Sequence, residues 1–279
     1  MTDPGRTTAR PPVLRAGGPA AKGSRQTQYR LVQIVSIMML LAVWEFSGRR
    51  FGSNLTFPPV SSVAVALAQR LVDPEFWGFL WTTLQALFVG LGLTIGVGIP
   101  LGLVAGRLTT VQRLINPYLN FFLSTPTSPL VPIFLIIFGI GLAPRVATVF
   151  IFAFPILVVN TITGVRAVPK SLLEMAASFG VSSGLVFRRI IFPASLPAIG
   201  AGLRLAAGRA VVGMVVAELI VISVGMGRLI QRYSSSFDSP NLFAVVIVVL
   251  AIGLLIVRGM AVLERRLGQW KQITNGSSR

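Results

Sequence analysis

The sequence predicts an all-α integral membrane protein with about six transmembrane helices, and three observations support this. Of the 279 residues, 53% are hydrophobic and only 12% are charged, whereas a soluble domain averages roughly 25% charged residues. Uncharged apolar runs long enough to cross a bilayer recur along the chain. Most of the cations behind the net charge of +17 lie in the tails and short loops. That distribution is typical of membrane topology and argues against nucleic-acid binding.

The residue inventory also excludes several kinds of active site. The chain has no Cys and no His, which removes thiol chemistry, the commonest general base and the commonest transition-metal ligand. The eight acidic residues are scattered, and no two lie at helix-face spacing inside one apolar run. The sequence therefore predicts neither an enzyme nor a chain with its own cofactor.

The apolar runs define the domain organisation. Residues 1–30 are basic and lack apolar periodicity, which predicts a disordered tail. Residues 31–270 form the transmembrane domain, and residues 271–279 form a C-terminal tail. Six spans are expected within that domain: residues 31–48, 76–105, 115–142, 146–165, 197–224 and 241–263.

A short helix that does not cross the membrane is predicted after the first span. In "FPPVSSVAVALAQRLVDP", two prolines break the chain, and Val63, Leu67 and Leu71 recur at helical spacing. Ser61 or Ser62 is expected to cap this helix. It is too short and too polar to span, so we expect it at the membrane surface.

The second predicted span carries small residues at regular spacing. Phe76 to Gly106 is free of charge and has glycines four residues apart, at positions 92 and 96 and then 98, 102 and 106. Small residues allow close approach of helix backbones in lipid. The pattern predicts tight helix packing along one face, and a pore-lining face is the alternative.

The third predicted span is interrupted by "STPTSPLVP". Irregular backbone at membrane depth is tolerated only where protein or a water-filled cavity covers it. Ser124, Thr125, Thr127 and Ser128 are therefore candidates to line a translocation path. A proline kink whose freed carbonyls are satisfied by these hydroxyls is the alternative.

Two charges in the fifth predicted span are functional candidates by default. Arg209 and Glu218 are nine residues apart, about 13 Å along a helix, so they are not helix neighbours. Either they shape the path of an anion or they pair with other helices.

Charge counting sets the expected orientation. With the N-terminus in the cytoplasm, cytoplasmic segments hold 17 Lys and Arg residues and outer segments hold six. This asymmetry predicts that both termini are cytoplasmic. Residues 167–196, between spans 4 and 5, then lie in the cytoplasm as well.

Residues 167–196 read as two short helices. Ser171 and Glu174 have the spacing of a capping box for the first helix, and Gly180 can end it in the left-handed conformation. Ser182 or Ser183 can start the second helix, which Pro193 is expected to stop. A compact cytoplasmic loop of this kind suits docking to a partner protein, and a well-capped loop without a partner is the alternative.

The same segment resembles a known signature. "EMAASFG" (Glu174 to Gly180) followed by "IIFP" (Ile190 to Pro193) is similar to the EAA motif of membrane subunits of ATP-binding cassette importers. Met175 stands where the motif has its first alanine, and Phe192 where it has leucine. "FPPVSSV", "GIPLGLVAGR", "STPTSPLVPIFLIIFGIG" and "AGLRLAAGRAVVGMVVAEL" resemble the nitrate, sulfonate, taurine and bicarbonate branch, over about residues 55–265.

This resemblance implies a type I importer permease in the cell membrane. Its EAA loop would form a coupling helix seated on a cytoplasmic ATPase, which uses ATP and Mg²⁺. Two permease copies, expected to be identical, would surround the path, and an extracellular or periplasmic solute-binding protein would deliver an oxyanion, a sulfonate or a similar solute. The residues implied in ATPase coupling are Glu174, Ala176, Ala177, Gly180, Ile190 and Pro193.

Three alternatives bear on this assignment. The first is a permease of the same family whose solute is a heterocyclic vitamin precursor of the pyrimidine or riboflavin type. A passive channel would use the broken "STPTSPLVP" segment but would not need the EAA spacing. ATP hydrolysis by this chain itself is not expected, because in "GVRAVPKS" Pro169 replaces the second glycine of a phosphate-binding loop and has no N–H to offer.

Overall fold

The computed structural model describes residues 20–52, 56–220 and 224–268, with side chains described from residue 29 to residue 267. Within these ranges the chain is built from helices joined by short turns. They are α1 (Ala20–Arg50), α2 (Val60–Val72), α3 (Pro74–Arg107), α4 (Thr109–Ser124), α5 (Leu130–Phe138), α6 (Leu142–Arg166), α7 (Lys170–Ser178), α8 (Ser183–Val186), a π-helical turn (Phe187–Ile191), α9 (Phe192–Ile220), α10 (Gly225–Ser235) and α11 (Ser239–Gly268). The predicted all-α membrane fold is confirmed.

Four helices in the described ranges are long and apolar enough to cross a membrane. They are Tyr29–Arg50 within α1, Pro74–Arg107, Leu142–Arg166 and Ser239–Leu267. The segments Ser183–Ile220 and Gly225–Ser235, bent by 52° relative to each other, give a fifth if they form one span.

The predicted third span is divided into two helices. Its residues belong to α4, of 16 residues, and α5, of nine, and neither reaches the length of about 20 residues that a span needs. The break contains Pro126 and Pro129, as the sequence led us to expect. Six continuous spans are therefore not present in the described part of the chain.

Helix α1 reaches further towards the N-terminus than predicted. It begins at Ala20, inside the segment expected to be a tail, whereas residues 1–19 and 271–279 of the predicted tails lie outside the described residues. Near its other end, the indole N–H of Trp44 donates to the carbonyl of Pro58 (3.1 Å). This contact fixes the connection between α1 and α2.

Helix α2 is capped by another helix. Its N-cap position is Pro59, so the predicted cap by Ser61 or Ser62 is wrong. Instead, the Glu45 carboxylate of α1 accepts from the backbone N–H of Ser61 (3.0 Å) and from its hydroxyl (2.9 Å). An anion at a helix N-terminus is favoured by the exposed N–H groups and the helix dipole.

The main core lies between α3, α6, α9, α10 and α11. Helices α3 and α6 run parallel, because Thr82 contacts Arg145 near their starts and Gly106 faces Val165 near their ends. Helix α9 runs antiparallel to α6, since Gly164 faces Ala198. The bundle thus has an Arg145 end, where α3, α6 and α11 begin, and an opposite Gly180 end, which carries α7.

The predicted glycine stripe divides into two faces. A Cβ at Gly98, Gly102 or Gly106 would press on α6, whereas a Cβ at position 92 or 96 would have no described residue within 4 Å. The two sets are out of phase because positions 96 and 98 are two residues apart, about 200° around a helix. Close packing is therefore confirmed for the second set and wrong for the first.

Replacing Gly102 with valine is expected to destabilise the bundle. A Cβ there would lie 2.5 Å from Cβ of Thr161 and 3.2 Å from the carbonyl oxygen of Val158, and overpacking of this kind costs about 1–3 kcal/mol. Thermal unfolding of the purified protein in detergent measures the effect. Gly96→Val is the matched control, because it makes the same change of helix propensity in open space; equal melting temperatures for the two variants would contradict the packing.

Candidate functional site

The first predicted site is helix α7, whose start differs from the prediction. Its N-cap is Pro169 and none of the described side chains caps it, so the predicted Ser171–Glu174 capping box is wrong. The helix begins at Lys170, which places Ser171 inside the first turn instead of at the cap. Glu174 is exposed, and its carboxylate makes no hydrogen bond or ion pair with the described residues.

The end of α7 forms as predicted. Gly180 has φ +67°, the left-handed conformation that favours glycine. Its N–H donates to the carbonyl of Ala177 (2.9 Å), and the N–H of Val181 donates to that of Ala176 (3.0 Å). This pair of bonds is the Schellman motif, which stops the helix and satisfies its last carbonyls.

The two faces of α7 have different environments. Ala176 is buried, and Leu173 of the same helix packs against a small core of Val165, Val168 and Ile191. Met175 and Phe179 of the same segment are exposed, Phe179 to 79%. Glu174, Ala177 and Gly180 are exposed as well. The structure therefore divides the EAA residues between an inner and an outer face.

The second helix of the loop does not stop at Pro193, contrary to the prediction. Helix α8 passes through the π-helical turn Phe187–Ile191 into α9, which contains both Pro193 and Pro197. A proline ring normally clashes with the carbonyl four residues earlier. For Pro193 that residue is Arg189, which lies in the wider π turn, where the N–H of Phe192 bonds to the carbonyl of Phe187. Ile190, in the same turn, is half-buried.

The predicted path residues of the "STPTSPLVP" segment lie in the break between α4 and α5. Ser124 and Thr125 are exposed, and Thr127 and Ser128 are half-buried. The backbone turns there through the N–H of Leu130, which donates to the carbonyl of Thr127 (3.1 Å). None of the four hydroxyls is hydrogen-bonded to the described residues, so the kink-satisfying alternative finds no support.

Glu218 and Arg209 are not brought together. Arg209 is exposed on α9, whereas Glu218 is 2% exposed and lies at the Arg145 end of the bundle. The Arg145 Nη1 atom is 3.5 Å from Oε1 of Glu218 and also donates to the carbonyl of Thr82 (3.0 Å). Glu218 therefore pairs with an arginine of another helix.

Thr83 and two glycines complete the surroundings of Glu218. The Thr83 hydroxyl lies 2.8 and 2.9 Å from the two carboxylate oxygens and accepts from the N–H of Met226 (2.8 Å). The N–H of Gly227 donates to Oε2 (3.1 Å). Gly225, at φ +64°, has no room for a side chain, since a Cβ would collide with Glu218 and Thr83. We call Thr83, Arg145 and Glu218 the buried triad.

The sequence did not reveal the partners in this triad. Arg145 is one of the six Lys and Arg residues of the predicted outer segments, and no sequence pattern singles out Thr83. The available signal was the position of Arg145 at the border of two apolar runs, directly after Pro144, where a charge must be exposed at the interface or paired.

The geometry agrees with comparisons to known proteins. Residues 98–269 match the family of binding-protein-dependent transport system inner membrane components. The chain belongs to this family. It is a multi-pass membrane permease subunit of an ATP-binding cassette importer and not an enzyme. The family implies ATPase and solute-binding-protein partners.

Relatives with assigned names agree with this assignment. A probable ABC transporter permease of Brucella abortus is 30% identical over 72% of this chain and 81% of the relative. The taurine transport system permease of Escherichia coli is 28% identical over 86% of this chain and 89% of the relative. The formylaminopyrimidine transport permease of Halalkalibacterium halodurans is 29% identical over 84% and 94%.

A solved structure has the same fold. An inward-facing form of the MetNI methionine ABC transporter matches with a TM-score of 0.60 at 17% identity, covering 71% of this chain and 100% of that chain. Permeases of this family have no cofactor of their own. In the described part of this chain, no three His, Cys, Asp or Glu side chains are grouped to hold a metal ion.

Proposed function

We propose that this permease imports a small anionic solute of the oxyanion or sulfonate class, driven by a separate cytoplasmic ATPase that docks on α7. The outer face of α7 carries this proposal. Met175 and Phe179 are large, apolar and exposed at the Gly180 end of the bundle, and a partner protein that covers them would remove apolar area from water. The ATPase supplies the ATP and Mg²⁺ chemistry.

The EAA residues then have two different tasks. Glu174, Ala177 and Gly180 lie on the exposed side and contact the ATPase. Ala176, Ile190 and Pro193 hold the loop against the bundle, because Ala176 is buried and the other two are half-buried. This division changes the sequence-based expectation for Ala176, which placed it in the contact itself.

The Gly180 end of the bundle is proposed to face the cytoplasm. Exposed cations concentrate there, as the positive-inside rule expects. They are Arg107, Arg113, Arg166, Lys170, Arg188, Arg189, Arg258, Arg265 and Arg266. Helix α1 starts and α11 ends on this side, so both termini are assigned to the cytoplasm.

The solute class rests on relatives. The taurine permease and the putative aliphatic sulfonates permease of Bacillus subtilis, which is 27% identical, favour a sulfonate. The formylaminopyrimidine permease and the riboflavin permease of Chloroflexus aurantiacus, also 27% identical, support a heterocyclic vitamin precursor as the second candidate.

The complete path requires a second permease copy, which we propose to be identical. Arg209, Ser124 and Thr125 are polar, exposed on one copy and located in or beside apolar helices. Polar groups exposed to lipid are costly, and a second copy would place them along a shared path. Thr127 and Ser128 continue the same polar segment.

Uptake into proteoliposomes tests the function. Vesicles that contain the permease, its ATPase and its solute-binding protein are expected to accumulate a labelled solute from the sulfonate panel only with ATP inside. A vitamin-precursor panel serves as the second arm. Accumulation that proceeds equally without ATP would indicate a passive channel and contradict the proposal.

A further inference from the structure

A cavity of about 850 Å³ opens at the Arg145 end, between α3 and α10. Helix α10 contributes Arg228, Gln231 and Arg232 to its wall, and α3 contributes Glu75 and Phe79. Pockets that hold small molecules measure roughly 300–1,000 Å³. The cavity is therefore large enough for a small organic solute.

Two arginines in this wall are available to bind an anion. The acidic groups that form ion pairs at this end within the described residues are Glu45, Asp73 and Glu218, and their partners are other arginines. Arg228 and Arg232 are four residues apart, so their side chains share one face of α10. The guanidinium of Arg228 lies 5.9 Å from the centroid of the Phe79 ring, a contact that restricts its position.

The charge of the cavity selects among anions. Arg228 and Arg232 face Glu75 across the same space, so the three side chains sum to one positive charge. A single monoanion neutralises this charge, whereas a dianion would leave an excess negative charge beside Glu75. Guanidinium groups bind oxyanions through parallel charge-assisted hydrogen bonds.

The remaining wall suits an aliphatic group. Phe79, Leu219, Leu229 and Ile230 line the cavity, and burying hydrocarbon against them is favourable. A small inorganic anion such as nitrate would leave this apolar surface uncovered. Charge and shape together therefore describe an organic monoanion.

The buried triad holds the two walls together. Thr83 of α3 accepts from the N–H of Met226 at the start of α10 (2.8 Å), and Glu218 accepts from Gly227 (3.1 Å). On the cavity side, the amide of Gln231 donates to the carbonyl of Leu219 (2.9 Å). Because these bonds link α10 to α3 and α9, the helix that carries the arginines is in place before a ligand arrives, which reduces the cost of binding.

We propose that this cavity is a solute-binding site of the permease itself, taking an organic monoanion with a sulfonate or carboxylate head. The head binds Arg228 and Arg232, and the aliphatic part lies on Phe79 and Leu219. The inference rests on the proposed function, which it extends by giving the permease its own selection step after delivery.

Calorimetric titration of the permease–ATPase complex in nanodiscs, without the binding protein, tests this site. 1-Butanesulfonate is expected to bind, and nitrate to bind more weakly. Arg228→Gln combined with Arg232→Gln is expected to weaken butanesulfonate at least tenfold, since each arginine supplies charged hydrogen bonds. Glu75→Gln is expected to tighten butanesulfonate and to allow sulfate, a dianion, to bind.

Arg50→Gln is the matched control, because Arg50 is exposed at the same end but does not line the cavity. An equal loss in this variant would overturn the site, as would nitrate binding more tightly than butanesulfonate. If the double variant keeps its solute affinity but no longer responds to the binding protein, the arginines form a protein-docking surface and the proposal is wrong.

The result also separates this inference from the proposed function. An absence of butanesulfonate binding, together with ATP hydrolysis that the binding protein still stimulates, would overturn the cavity alone. Loss of ATP-dependent uptake for every solute of both panels would instead contradict the proposed function.

Discussion

Replacing Glu218 with alanine is expected to cause the largest loss of stability among single substitutions of the described polar residues. The substitution leaves Arg145, which is 4% exposed, without a carboxylate partner. It also removes acceptors from Thr83 and Gly227. Removing one member of a buried ion pair costs about 3–5 kcal/mol, because the other charge stays buried and uncompensated. Thermal unfolding of the purified permease in detergent is the measurement.

The half-exposed pair Arg204–Glu264 provides the control. Its atoms are 2.6 Å apart, closer than those of Arg145 and Glu218, but Glu264 keeps 27% of its side-chain surface exposed. Pairs in contact with water contribute about 1 kcal/mol or less. Glu264→Ala is therefore expected to change the melting temperature little, and a loss as large as that of Glu218→Ala would contradict the importance of burial.

A double-substitution cycle separates the ion pair from the hydrogen bonds. Glu218→Ala combined with Arg145→Ala is expected to lower the free energy of unfolding by less than the sum of the two single changes. Each single change leaves one buried charge unpaired, and the double change leaves none. Strict additivity would show that the two side chains do not interact in the folded protein.

The sequence predicted the parts of this fold that depend on local chemistry. Uncharged apolar runs predicted the long helices, because a helix that crosses a bilayer requires apolar side chains over its full length. The prolines of "STPTSPLVP" predicted the break between Ser124 and Leu130. Gly180 was assigned its left-handed conformation, since it follows a short helix and has no Cβ.

Contacts between distant segments were not predictable in the same way. Arg145 and Glu218 are 73 residues apart and share no spacing rule. The sequence has the spacing of a capping box at Ser171, but the helix has its N-cap at Pro169, two residues earlier than the box requires. Pro193 was expected to end a helix, and the π turn before it removed the clash on which that expectation depends. In the last two cases the neighbouring backbone decided between locally allowed conformations.

Replacing Phe179 with aspartate is expected to uncouple transport from ATP hydrolysis. Phe179 is 79% exposed beside the left-handed Gly180, so an ATPase that covers α7 would bury a full aromatic ring. A charge there would instead be buried without a partner, which costs several kcal/mol. We expect uptake in proteoliposomes to fall at least tenfold and the ATPase to dissociate from the permease during gel filtration.

Two further variants decide whether this effect belongs to α7. Leu108→Asp introduces the same charge at an exposed apolar position of the Gly180 end outside the loop, where Leu108 is 51% exposed; it is expected to retain coupling. Glu174→Gln keeps the size of an exposed α7 side chain and removes its charge, so a strong loss of uptake in this variant would identify a charged contact with the ATPase. Normal ATPase binding and uptake by the Phe179→Asp variant would show that the partner does not cover this face, because a buried aspartate cannot be accommodated there without loss of affinity.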